Sequence, residues 1–330
     1  VHLTPCAALS ALTVFAAHAA PALADDDDNC RRNARPTISF VEFQSPNLII
    51  NSSGQVVPNG LLTVKGKLQI PADCRRGHER NSPRPGLPAV LILHGSSGVD
   101  ARGDFHAESL HAAGIATLEI DMWEARGVSN GASRPALPAL TYPDAFSALR
   151  FLGTQAGIDA QRVGVLGFSW GGVIAMASAS NNVASAVGGT LRFKAHVAHY
   201  PVCYAYNNPN IPYSAFGATA GNPLTGAPVL IQIGTQDDYD RATTADNGAQ
   251  RCINLKASLT AAEQRNIDVV TYDGAYHAWD KLQVSFKPYD PFGHLGADRF
   301  NAAARIDIRP DVAKAHEARQ QLVRFFERKL

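Results

Sequence analysis

Arg162-Val-Gly-Val-Leu-Gly-Phe-Ser-Trp-Gly-Gly172 decides the architecture. The apolar run up to Leu166 reads as a buried strand, and the small residues from Gly172 to Ala179 suit a closely packed helix. Between them lies Gly167-Phe168-Ser169-Trp170-Gly171, a G-x-S-x-G pattern. The bare pattern occurs by chance; set between a strand and a helix it is the sequence of a nucleophile elbow. The glycines permit a cramped turn that lifts the Ser169 hydroxyl above the sheet edge, and the following amides fall at a helix N-terminus, where negative charge is stabilised.

On either side the chain alternates strand and helix. Ala89–Leu93, Ile115–Ile120, Arg162–Leu166, His196–His199, Val229–Ile233 and Val269–Tyr272 read as strands. Glu108–Ala113, Ala145–Leu152, Gly172–Ala179 and a closing helix from about Pro310 read as helices, the last with Val312, Ala315, Ala318, Leu322, Phe325 and Phe326 as its apolar stripe. That order predicts an α/β fold, a mostly parallel sheet covered on both faces. Ile38–Phe43 and Leu61–Ile70, separated by Asn51-Ser-Ser-Gly, predict antiparallel opening strands. Two irregular stretches, Tyr204–Asn222 and Leu282–Pro310, follow strand ends on the side where open parallel sheets bind ligands.

An elbow serine needs a base and an orienting acid, in the chain order Ser, Asp or Glu, His. Ile231-Gln-Ile-Gly234 runs into Thr-Gln-Asp237-Asp238, and Val270-Thr-Tyr272 into Asp-Gly-Ala-Tyr-His277. Asp237 on one loop and His277 on the next can converge on Ser169, the acid fixing the histidine tautomer and the histidine taking the serine proton. His94-Gly95-Ser96-Ser97-Gly98 follows the first central strand. Its glycine-rich turn, with Ser96 N–H and Trp170 N–H as the donors and Ser97 as the alternative, predicts an oxyanion hole; His94 is a hydrogen-bonding residue beneath it.

These blocks, with Ile120-Asp-Met-Trp-Glu-Ala-Arg-Gly127 and Tyr272-Asp-Gly-Ala-Tyr-His-Ala-Trp279, resemble the dienelactone hydrolase family of the α/β hydrolases over roughly residues 60 to 330. The resemblance implies the α/β-hydrolase fold with an eight-stranded sheet, hydrolysis of esters or lactones, and Ser169, Asp237 and His277 as the triad; its preference for Asp237 leaves Asp238 to the turn and Asp240 to solvent. The founding enzymes are cytoplasmic, use cysteine where this chain has Ser169, and carry an arginine where it has Lys281. A lysine pairs with a carboxylate without a bidentate fork. The match is closer to serine-bearing, exported members.

With 30 basic and 29 acidic residues the chain has no field of one sign, which argues against nucleic acid and anionic membranes. Val1–Ala24 lacks Lys, Arg, Asp and Glu, is apolar from Ala7 to Ala17 and ends Ala22-Leu-Ala24. It reads as a cleavable leader (1–24), before an extension with the first strand (25–60) and a catalytic domain (61–330). The expected location is the periplasm or the exterior, with no membrane anchor after cleavage. Beyond Cys6, Cys203 with Cys252 and Cys30 with Cys74 are the expected disulfides, the former from adjacent strand ends; four buried thiols are the alternative.

No cofactor or metal is expected. The cysteine spacings include no Cys-x-x-Cys, and His196 and His199, three apart on a strand, point to opposite faces. His106 and His111 are assigned to the surface. Trp123, Tyr204, Tyr206 and Lys281 are the candidate pocket residues; the aromatic set Tyr204, Tyr206, Tyr213 and Phe216 could equally pack the loop. The partner is a small-molecule ester or lactone, with the number of subunits open. Peptide hydrolysis or acyl transfer would use the same triad, and a binding protein on the same scaffold is the remaining competitor.

Overall fold

A computed structural model describes Cys30 and residues 34–74, 86–129, 133–208, 215–241, 243–288, 290 and 305–330. The leader segment and Tyr213 lie outside them. Among the described residues eight strands form one sheet in the order β1-β2-β4-β3-β5-β6-β7-β8. They are β1 Thr37–Ile50, β2 Val56–Ile70, β3 Leu87–Leu93, β4 Ala116–Asp121, β5 Ile158–Phe168, β6 Ala195–His199, β7 Val229–Gly234 and β8 Ile267–Tyr272. β1 and β2 pair antiparallel, β2 joins β4 antiparallel, and every pairing from β4 to β8 is parallel. This is the architecture of the α/β hydrolases. A boundary at residue 61 falls inside β2, and β1 is part of the same sheet.

The parallel strands are continuous apolar runs because helices cover both faces. β3 is buried from Ala89 to Leu93 and β7 along its whole length. α1 (Ala101–Ala112) packs against β4 and against the closing helix, which runs Val312–Lys329 and also covers β6 and β7. α2 (Tyr142–Gly153) and α3 (Trp170–Ser178) pack against β3 and β5. α4 (Asn181–Gly188), α5 (Gln250–Ala257) and α6 (Ala261–Gln264) were not predicted. α6 carries a capping box between Thr260 and Glu263, a readable start signal. The closing helix, α7, buries Ala315, Ala318, Leu322, Phe325 and Phe326. Val312 leaves the expected stripe: it is 59% exposed, in the first turn before the helix meets the sheet.

The hairpin is fastened to the body by its inward face. Phe43 stacks on Phe151 of α2, and Ser45 Oγ donates to Asp144 Oδ1 at 2.6 Å. Arg126 pairs with the same buried carboxylate at 2.7 Å, so Asp144 joins three segments. Two disulfides, Cys30–Cys74 and Cys203–Cys252, close the loops expected from the sequence.

Glu119 of β4 is 5% exposed and 3.3 Å from Lys67 Nζ. It fits beneath α1 because residue 103 is glycine: a Cβ there would lie 1.8 Å from Glu119 Oε1. Burial outweighs the lysine and pushes the Glu119 carboxyl from 4.5 up to about 7. A raised carboxyl keeps its proton in the folded state after the unfolded chain has lost it. Stability contributed by this group is therefore full below pH 4.5 and falls as pH rises towards 7. Glu119→Gln should gain on the wild type, by up to about 3 kcal/mol, between pH 5 and pH 8 in urea unfolding. An equal difference at both pH values would contradict the assignment.

Candidate active site

β5 ends at Phe168 and α3 begins at Trp170, so Ser169 alone makes the turn. Its φ is +50°, a strained value for a residue with a Cβ. The frame leaves no alternative. A Cβ at Gly167 would lie 1.9 Å from Gly171 O, and one at Gly171 would lie 2.2 Å from Leu93 O. Ser169 N–H donates to His199 O at 3.0 Å and Gly171 N–H to His94 O at 3.2 Å, tying the elbow to β6 and to the loop after β3.

The ends of β7 and β8 bring the other two groups to the same point. His277 Nε2 lies 2.9 Å from Ser169 Oγ, and His277 Nδ1 lies 2.8 Å from Asp237 Oδ2. Asp237 is fully buried, His277 3% exposed and Ser169 8% exposed. The second oxygen of Asp237 accepts Tyr239 N–H at 3.0 Å. Asp238 points elsewhere: it pairs with Arg241 at 2.5 Å and accepts Asp307 N–H at 2.7 Å. It thus holds the turn, as expected, and also anchors the chain just before α7. Asp240 is not solvated: it is 2% exposed and accepts the backbone N–H groups of Cys203 and Tyr204 at 2.8 and 2.6 Å. Burial and the nearby Asp237 raise its carboxyl to about 8.

The loop after β3 is pinned from below. His94 Nε2 accepts Met122 N–H at 2.9 Å, so the proton is on Nδ1, which donates to Gly95 O at 2.8 Å. Burial lowers this histidine to about 4 and keeps it neutral. Gly98 N–H also donates to Gly95 O, at 3.0 Å. With that carbonyl fixed by two donors and the peptide trans, the Ser96 N–H is fixed in the opposite direction. Trp123 is buried beneath the loop, where its indole N–H donates to Ser96 O at 3.1 Å. Lys281 Nζ donates to Ser97 Oγ at 2.9 Å and lies 4.0 Å from Asp100. Trp170 opens α3, so its N–H lies at the positive end of that helix.

Of the aromatic set, Tyr204 is buried and Tyr206 half-buried, and the Tyr206 ring meets the buried Phe216 at 5.4 Å. This pair packs the loop. Sequence reasoning missed a cluster behind the site. His106 is fully buried, not superficial, because its face of α1 meets Asp280: His106 Nε2 is 2.9 Å from Asp280 Oδ2. His199 Nδ1 lies 3.4 Å from the same oxygen. These three could group around a metal ion; Cys203 and Cys252, beside Asp240, are committed to their disulfide. His111 is half-buried, 2.9 Å from Thr117 Oγ1.

The profile of the dienelactone hydrolase family matches residues 78–329. A Klebsiella pneumoniae protein assigned as a dienelactone hydrolase shares the fold with a TM-score of 0.50 at 18% identity, covering 87% of this chain and 98% of its own. Esterase 2 of Thermogutta terrifontis with butyrate bound gives 0.51 at 16% identity, covering 86% and 93%. The same esterase phosphoramylated by tabun gives 0.51 at 16%, covering 80% and 88%. At these identities the likeness is one of fold. No curated protein sequence matches. The family match spans most of the chain, and the chain belongs to the dienelactone hydrolase family.

Proposed function

We propose that the protein is a serine hydrolase that cleaves carboxylic esters or lactones through Ser169, His277 and Asp237, with an acyl-enzyme intermediate. As a member of its family it is a hydrolase acting on ester bonds; to that the proposal adds the residues and the covalent step. The observation that carries it is the continuous hydrogen-bonded line from Ser169 Oγ to His277 to Asp237, with spacings of 2.9 and 2.8 Å at the tip of an elbow.

Asp237 holds the His277 proton on Nδ1, which leaves Nε2 as the acceptor. His277 takes the Ser169 proton as Oγ attacks the carbonyl carbon. The tetrahedral oxyanion is met by Ser96 N–H and Trp170 N–H, each worth about 3 to 4 kcal/mol to such a transition state. The imidazolium returns its proton to the departing alkoxide. Water repeats the sequence on the acyl-enzyme and frees the acid. Lys281, 14% exposed beside Ser97, stands where it could meet a substrate carboxylate.

Export is part of the same proposal. The two disulfides are compatible with an oxidising compartment, and among the described residues no helix is long and apolar enough to cross a membrane. A fluorophosphonate probe tests the mechanism directly. It should label the protein once, at the peptide carrying Ser169, with parallel loss of p-nitrophenyl ester hydrolysis. Full esterase activity after stoichiometric labelling elsewhere would sink the proposal.

A further inference from the structure

The imidazole of His277 is flanked by two tyrosine rings. Tyr200 meets it at 4.7 Å between centroids and Tyr239 at 4.4 Å, with interplanar angles of 65° and 56°. Both tyrosines are buried, at 0% and 5% exposure. Each hydroxyl is fastened to a separate buried carboxylate. Tyr200 Oη donates to Asp280 Oδ1 at 2.5 Å, and Tyr239 Oη donates to Asp290 Oδ2 at 2.6 Å. Each arrangement also holds an arginine. Arg102 Nη1 donates to the Tyr200 oxygen at 3.1 Å, and Arg134 Nη2 pairs with Asp290 at 2.5 Å. The two anchors are separate residues of the stretch that follows His277: Asp280 lies three residues beyond it and Asp290 thirteen.

The triad bonds alone leave the imidazole a rotational freedom. A histidine held only at Nδ1 and Nε2 can swing about the line joining its partners. Rings packed against it oppose that swing, and fixed hydroxyls keep those rings in register. Burial, reinforced by Asp280 and by Asp290, drives both phenols well above their ordinary pKa, so both remain donors.

We propose that Tyr200 and Tyr239, anchored on Asp280 and Asp290, are positioning residues that clamp the His277 ring in the plane that serves Asp237 and Ser169 together. Neither supplies a proton to the reaction. The proposal rests on the triad assignment above. A ring displaced by a fraction of an ångström weakens proton transfer without touching the binding of substrate.

The test uses Tyr200→Phe and Tyr239→Phe, which keep the rings and release only the anchors. Each should lower kcat about tenfold with KM unchanged, since a misplacement of 1 Å can cost about a hundredfold. In an Asp290→Asn background Tyr239→Phe should cost little more, because the hydroxyl and the carboxylate are one contact. The downfield proton resonance of His277 Nδ1, recorded well below the melting temperature, should broaden in both Phe variants. A kcat within about twofold of wild type together with an unchanged resonance would overturn the clamp. So would a rise in KM at constant kcat, which would place the hydroxyls against substrate. Ser169→Ala separates the two ideas. If it stays active, the triad reading fails; if it is inert while both Phe variants are fully active, only the clamp fails.

Discussion

Ser169→Ala and His277→Ala should each lower kcat by about 10⁴ to 10⁶, with the double variant no worse than the singles. The two side chains act in one proton transfer, so removing either removes the step. The structural costs differ. Ser169 serves the fold through its backbone: its N–H donates to His199 O, its carbonyl accepts Val173 N–H, and its side chain makes no cap to α3. Alanine there should leave the melting temperature unchanged. His277 fills a slot between two tyrosines, so its loss opens a cavity, and its kcat must be read in the cold. Ser169→Ala protein, free of wild-type carry-over, that retained more than about 1% of activity would reject the nucleophile.

Asp237→Asn should cost about 10⁴ in kcat, the loss seen in a comparable triad when the tautomer is wrong. Geometry fixes how the amide sits. Tyr239 N–H donates to Asp237 Oδ1, which obliges the amide oxygen to stay on that side and turns the NH₂ towards His277. The histidine must then accept at Nδ1 and carry its proton on Nε2, facing the serine. Asp238→Asn should behave in the opposite way. It weakens a pair with buried Arg241 and a tie to Asp307, so melting temperature falls while kcat in the cold stays near wild type. Equal kcat losses in the two variants, at matched stability, would show that the acid has been misassigned.

The sequence shows the parallel core and the three strand-end residues for one physical reason. Strands buried on both faces are uninterrupted apolar runs, and the residues just past each run stand at the edge where reacting groups gather. Ser169 and His277 could therefore be placed by position along the chain, and the acid narrowed to Asp237 or Asp238, with the family resemblance favouring Asp237. Their support could not. His106 looked like a surface residue because nothing local reveals that α1 presents it to Asp280, 174 residues away. Asp240 looked solvated because acids in turns usually are, whereas its partners are the amides of a loop 36 and 37 residues earlier. The clamp was illegible for the same reason: Tyr200, Tyr239, Asp280 and Asp290 carry no motif and meet only in three dimensions. Short helices such as α6 were missed despite a capping box, since four residues give no period to read.

The two disulfides join neighbours in the chain order of the four cysteines after Cys6, and the loops they close do not overlap. In a chain exported as it is made, Cys30 and Cys74 can pair before Cys203 emerges, and Cys203 can then meet Cys252 as the next thiol to appear. An oxidase that joins thiols in their order of arrival would reach the native set of bonds without error. If the chain is exported as proposed, its native pairing calls for an oxidant and not for an isomerase to correct crossed pairs.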